Sequence, residues 1–151
     1  MRAIIFLVSL FFASQLSAQR IQILKKAHNL YKKEAYAQAL IEYEKLWNSG
    51  SGFKILGVDG KMNLADCYRQ ADRPFEAKDL YLEVVQYFKD KPDTYLHYGQ
   101  VLMQLGQYND AVAQFERHIE LLPEDGRGAE YIKRIDAMRD IQPLGLIQKD
   151  R

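Results

Sequence analysis

Residues 92–123 read PDTYLHYGQVLMQLGQYNDAVAQFERHIELLP, and this stretch decides the fold. Gly99 stands twelve residues before Ala111, and Ala111 four before Phe115. Two further copies of the spacing lie upstream: Ala27, Ala39 and Tyr43, then Ala65, Ala77 and Tyr81. The copies are offset by 38 and then 34 residues, a period that marks stacked helical repeats. The reason is steric. Antiparallel helices approach closely only where one carries a small residue, and a neighbouring aromatic then fills the space around the contact. Repeats of this kind bury their apolar faces against one another and leave a concave surface that binds.

Around that frame the chain reads as seven helices. Ile21, Ile23, Leu24, Ala27, Leu30 and Tyr31 fall at mostly helical spacing over 21–31. The spacing predicts further helices over 36–47, from about 58 to 70, from about 75 to 88, from 93 or 94 to before Gly106, and from 108 to before Pro123. Residues 129–140 form a last one, apolar on one side and charged on the other, as a terminal cap requires. The turns are marked by Lys32–Ala35, by Asp72-Arg73-Pro74 with proline at a helix start, and by Gly106. Asp93 or Thr94 is placed to cap the fifth helix. The run 48–52, Asn-Ser-Gly-Ser-Gly, breaks the chain into a long loop reaching Gly57.

The first eighteen residues stand apart. Met1-Arg2, the apolar run Ala3–Phe12 and the small residues ending at Ala18 have the layout of a secretory signal peptide. An uncleaved membrane anchor is the alternative, although the run is short for a span of ~20 residues. Residues 1–18 are thus expected to be a signal peptide, 19–140 a repeat domain and 141–151 an irregular tail. Removing Arg2 from the 21 basic residues leaves 20 against 20 acids. That balance lacks the clustered basic excess of a nucleic-acid-binding protein. Cys67 is the only cysteine, so no internal disulfide forms. Packing accounts for it better than redox chemistry.

These residues resemble the tetratricopeptide repeat, or TPR. The third copy carries the resemblance most fully, through Pro92, Tyr95, Tyr98-Gly99, Leu102, Gly106, Tyr108, Ala111, Phe115 and Pro123. The second matches at Leu64-Ala65, Tyr68, Ala77 and Tyr81, but has Lys61 for a bulky residue and Pro74 for an aromatic. The first matches at Ile23, Ala27, Leu30, Tyr36, Ala39 and Tyr43, departs at Lys26, and is followed by four extra loop residues. The resemblance implies an all-α, right-handed superhelix of three helix-turn-helix repeats plus a C-terminal capping helix. A signal peptide ahead of such a block is also similar to the N-terminus of bacterial OmpA-like envelope proteins. Their peptidoglycan-binding domain is not in this sequence, so that function is not carried over. A stand-alone relative and a truncated member both remain open.

TPR arrays often bind peptides on the first helix of each repeat. By that resemblance the groove comprises Leu24, His28 and Tyr31; Met62, Asp66 and Arg69; and Leu96, Gln100 and Met103. The chaperone-binding subclass clamps a terminal carboxylate there with lysines and asparagines. Here Leu24, Met62 and Leu96 take the lysine places and His28, Asp66 and Gln100 the asparagine places, so the clamp is missing. An apolar strip with polar edges remains, suited to a hydrophobic or helical segment. Plain core packing of Leu96 and Met103 accounts for the pattern equally well.

His28, His97 and His118 lie on separate helices without metal-ligand spacing, which reads as surface histidines. There is no phosphate loop, nucleophile elbow or two-cysteine motif. The expected function is therefore a non-catalytic periplasmic scaffold, with no cofactor, metal or small-molecule substrate. Its partner is a protein or peptide of the cell envelope, and it meets the outer membrane only through that partner. Competing readings are a module for cell-wall glycan or lipid, and the N-terminal part of a larger OmpA-like protein. Exposed groove aromatics would favour glycan; buried ones, a scaffold.

Overall fold

The computed structural model describes the backbone of residues 2–49 and 52–141, with side chains over 13–49 and 54–140. Within these residues there are seven helices and no strand: α1 (Arg2–Lys32), α2 (Tyr36–Trp47), α3 (Gly52–Gln70), α4 (Pro74–Tyr87), α5 (Pro92–Gln104), α6 (Tyr108–Leu121) and α7 (Arg127–Ile141). Of the expected tail, 141–151, Ile141 ends α7 and residues 142–151 lie outside the described residues. The chain divides into two compact units, one ending at Leu80 and the other beginning at Tyr81.

One turn is built three times. Glu34, Asp72 and Gly106 have φ of 59°, 55° and 72°, and they are related by the 38- and 34-residue offsets of the copies. In each, the following N–H (Ala35, Arg73, Gln107) reaches back to the carbonyl five residues earlier (Leu30, Tyr68, Leu102) at 2.9–3.0 Å. This left-handed residue with its back-bonded successor satisfies carbonyls that the helix end leaves open. The same turn reverses the chain within three residues, and α2 packs back on α1 and α6 on α5. Pro74 opens α4, as its fixed φ favours.

In the first unit α1, α2 and α3 pack on one another. The small and aromatic repeat residues Ala27, Ala39, Tyr43, Ala65 and Ala77 are fully buried, together with Leu46 and Leu64. In the second unit α6 packs on both α5 and α7. There the close approach inferred from the spacing is explicit. A Cβ placed on Gly99 would lie 2.5 Å from Cε1 of Phe115, far inside van der Waals contact. The Phe115 ring is itself fully buried and stacks on Tyr131 of the cap, centroids 5.0 Å apart and 11° from parallel.

Several boundaries differ from the sequence reading. The first helix starts at Arg2, so the segment expected to be a signal peptide continues into the repeat helix. The Asn48–Gly57 loop is shorter than expected, because 52–56 form a helical turn that buries Leu56. Gly57 breaks α3 there, at φ 59° and ψ −167°, a conformation open essentially to glycine alone. The fifth helix begins at Pro92 and its N-cap is Lys91, without a side-chain cap. Asp93 instead pairs with Arg127 at 2.7 Å, and Thr94 is buried.

Candidate functional site

Leu24, His28 and Tyr31 on α1, and Met62, Asp66 and Arg69 on α3, follow i, i+4, i+7 spacing, which places each trio on one helix face. Because α1 and α3 pack together, the two faces adjoin in the first unit. Gly60 borders the seam, where a Cβ would make an ordinary 3.7 Å contact with Cδ1 of Leu24. Leu24, His28, Tyr31, Met62 and Arg69 are each partly exposed, leaving accessible surface along this seam.

Asp66 is the exception and the centre of the arrangement, only 4% exposed. The Tyr31 hydroxyl donates to its Oδ2 at 2.9 Å, and Arg69 Nε and Nη2 donate to its Oδ1 at 2.8 and 2.5 Å. A buried carboxylate needs such donors to remain ionised. Burial, reinforced by the adjacent carboxylate, pushes the Tyr31 hydroxyl far above its usual range, so it stays a donor throughout physiological pH. Tyr36, matched to the repeat in the sequence but not named among the groove residues, meets Tyr31 edge-on at 5.5 Å and borders a cleft shared with Gln38 and Gln70. Only its place in the repeat turn could have drawn attention to it.

His28 lies edge-on to Tyr43 at 5.8 Å, and its Nε2 is buried without a hydrogen-bond partner. Burial lowers its pKa, opposed in part by Asp59, so the ring is neutral at pH 7. The site therefore holds an apolar strip and one internally paired carboxylate, with no concentration of positive charge to grip an acidic terminus.

The remaining trio lies in the second unit and is corrected in part. Leu96 is 1% exposed and belongs to the core, not to a groove. Helical spacing within α5 alone does not reveal that burial, which depends on the helices packed around it. Gln100 donates to the Tyr131 hydroxyl at 2.9 Å, so its amide joins α5 to the cap. Met103 is partly exposed. His118 is likewise no surface residue: it is fully buried and its Nδ1 donates to the Pro92 carbonyl at 3.0 Å. Cys67 is buried and its thiol is pushed up to about 12 by burial, in keeping with a packing role.

Among the described residues no group of three or more His, Cys, Asp and Glu side chains could hold a metal ion, and no helix is long and apolar enough to cross a membrane.

Comparison with known proteins places this geometry. Residues 68–133 match the tetratricopeptide repeat family model. FK506-binding protein 59 of Drosophila melanogaster is 27% identical over 115 residues. The match takes in 72% of this chain but 26% of that protein, so the chain spans about a quarter of that curated relative. Among solved structures, MamA aligns with a TM-score of 0.69 at 16% identity, over 87% of this chain and 77% of its own. The first TPR of Spaghetti (RPAP3), bound to the HSP90 peptide SRMEEVD, aligns with a TM-score of 0.67 at 18% identity, over 82% and 95%. These likenesses establish the fold as that of tetratricopeptide-repeat structures, an all-α architecture typically used for protein interaction rather than catalysis.

Proposed function

We propose that this chain is a non-catalytic, exported scaffold that holds an apolar or helical segment of an envelope protein in the seam between α1 and α3. The observation that carries the reading is the replacement of a charged clamp by Leu24, His28 and Met62 around the internally paired Asp66. An acidic C-terminal peptide would bring negative charge towards that carboxylate without free cations to meet it. A partly exposed apolar strip suits an apolar side chain instead. The neighbour bound to SRMEEVD thus supports the use of the fold for peptides, and not the choice of peptide.

The groove aromatic Tyr31 is partly exposed but its hydroxyl is committed to Asp66, and Tyr43, Tyr68, Tyr81, Tyr95, Tyr98 and Phe115 pack the interior, which supports a scaffold over a glycan-binding surface. Export rests on the layout of residues 1–18, with cleavage at Ala18 giving a periplasmic chain that begins at Gln19. Intact mass of the envelope fraction checks this; a full-length chain retained in the membrane pellet would support an anchor.

The binding test uses Leu24→Glu with Met62→Glu, both at partly exposed positions on the α1–α3 seam. Capture of partners from envelope extract should fall by about tenfold or more, because each carboxylate must be desolvated against apolar surface. Circular dichroism should be unchanged. Undiminished capture by the double variant would move binding away from these faces.

A further inference from the structure

The outer face of α1 lies roughly opposite the Leu24–His28–Tyr31 trio, and its counterparts in the later copies are buried. The 38- and 34-residue offsets align Lys26 with Leu64 and Tyr98, Asn29 with Cys67 and Val101, and Leu30 with Tyr68 and Leu102. All six of those counterparts are at most 5% exposed. On α1, by contrast, Lys26 and Asn29 are exposed and Leu30 is half-buried. The face has the register of a helix–helix seat and the chemistry of a charged surface.

Two clefts open on it. One, of about 410 Å³, is bordered by Lys25, Lys26, Asn29 and Lys33, with Leu30 beside them. The other, of about 200 Å³, lies between α1 and α2 and is bordered by Lys26, Leu30, Ile41 and Glu42. Glu42 is the only acid bordering either cleft, and it is already engaged: Lys26 donates to it at 2.7 Å and Lys45 at 3.0 Å. Those bonds hold its carboxyl below the usual carboxylate range. Three bordering lysines against one glutamate leave the clefts a net charge of +2, to which Lys45 adds through its bond to Glu42, and Lys25 and Lys33 have no ion pair among the described residues. A purely solvated end to a repeat array needs only polar residues. Ile41, 55% exposed above Leu30, departs from that.

We propose that the outer face of α1 and α2 docks an acidic amphipathic helix of a partner protein, in the slot that a preceding repeat would fill. Charge complementarity selects the occupant: acids on the incoming helix meet Lys25, Lys26 and Lys33, while one apolar side chain enters the Leu30–Ile41 cleft. The surface is separate from the inner seam, so either assignment stands or falls without the other.

The full chain is titrated with a fluorescein-labelled amphipathic peptide of about 18 residues, long enough to form a helix, with leucines on one face and glutamates flanking them. A second peptide has lysines in place of the glutamates. The acidic peptide should bind at least about tenfold more tightly than the basic one, and roughly 0.5 M salt should weaken it. Lys25→Glu with Lys33→Glu should reverse the preference, and Ile41→Glu should weaken the acidic peptide while Met62→Glu does not. Equal affinity for the two peptides, no binding of either, or indifference to the charge reversal overturns the proposal. Binding of vesicles containing anionic phosphatidylglycerol in preference to the acidic peptide overturns it in favour of a lipid surface. Self-association abolished by Ile41→Glu overturns it in favour of a second copy.

Discussion

Gly99→Ala is expected to destabilise the second unit, although alanine is the better helix former. The substitution gains up to ~1 kcal/mol of helix propensity in the interior of α5. Against that, the added Cβ would stand 2.5, 2.8 and 2.9 Å from three carbons of the Phe115 ring. Ordinary carbon contacts lie near ~3.5–4.0 Å, so ring or helix must move by roughly 1 Å. The ring has nowhere to go, being fully buried and stacked on Tyr131. Overpacking of this kind costs ~1–3 kcal/mol, and three ring contacts below 3.0 Å place this case in the upper part of that range, ~2–3 kcal/mol, so the net loss should be about 1–2 kcal/mol. That corresponds to roughly 3–8 °C in Tm for a domain of this size. Urea titration followed at 222 nm measures it, and a double-mutant cycle with Phe115→Leu identifies the cause. In the Phe115→Leu background the alanine should be neutral or stabilising, giving a coupling of ~1–2 kcal/mol. A Gly99→Ala variant as stable as the parent, or strict additivity in the cycle, would refute the close-contact argument.

The turns supply two further expected outcomes. Glu34→Gly and Asp72→Gly should each raise stability by ~0.5–1 kcal/mol, because both positions hold the left-handed conformation that the third copy gives to Gly106; urea midpoints check this. Asp125 is held at about 2 by hydrogen bonds from Arg127, below its ordinary 3.8. A depressed acid contributes stability that is present above the ordinary value and lost as pH falls through the folded one. The parent should therefore lose this contribution between about pH 4 and 2, and Asp125→Asn should flatten that part of the stability–pH curve.

What the sequence disclosed was local and periodic. The spacing from Gly99 to Ala111 to Phe115 implied a tight helix pair because only a residue without a side chain fits there, and the Cβ distances bear this out. The boundaries of α2 were readable for a similar reason, since the turn before it and the Asn-Ser-Gly run after it leave little choice. Burial was harder to read. Leu96 and Met103 share a face of α5, yet one is core and the other is partly exposed, because coverage depends on neighbouring helices. The pairing of Tyr31 with Asp66 joins residues 35 apart. Nothing in either helix announces it, since two polar residues on amphipathic faces more often meet water. The turn over 52–56 was hidden by the glycines flanking it, which read as loop.

Those same residues explain how an array can hold copies of unequal spacing. The first offset exceeds the second by four residues, close to one turn of helix. An uninterrupted helix would rotate everything before the insertion by roughly 40° relative to the repeat after it, since each residue advances ~100°. Gly57 removes that linkage. Its backbone turns through a region closed to other residues, and beyond its own local backbone nothing lies within 4 Å of where its Cβ would be. The turn before it is free to seat Leu56 by its own phase, while Ala65 keeps the phase of its repeat. The joint works as a universal coupling, and the connector between the first two hairpins becomes the place where this chain can change length without re-cutting its core.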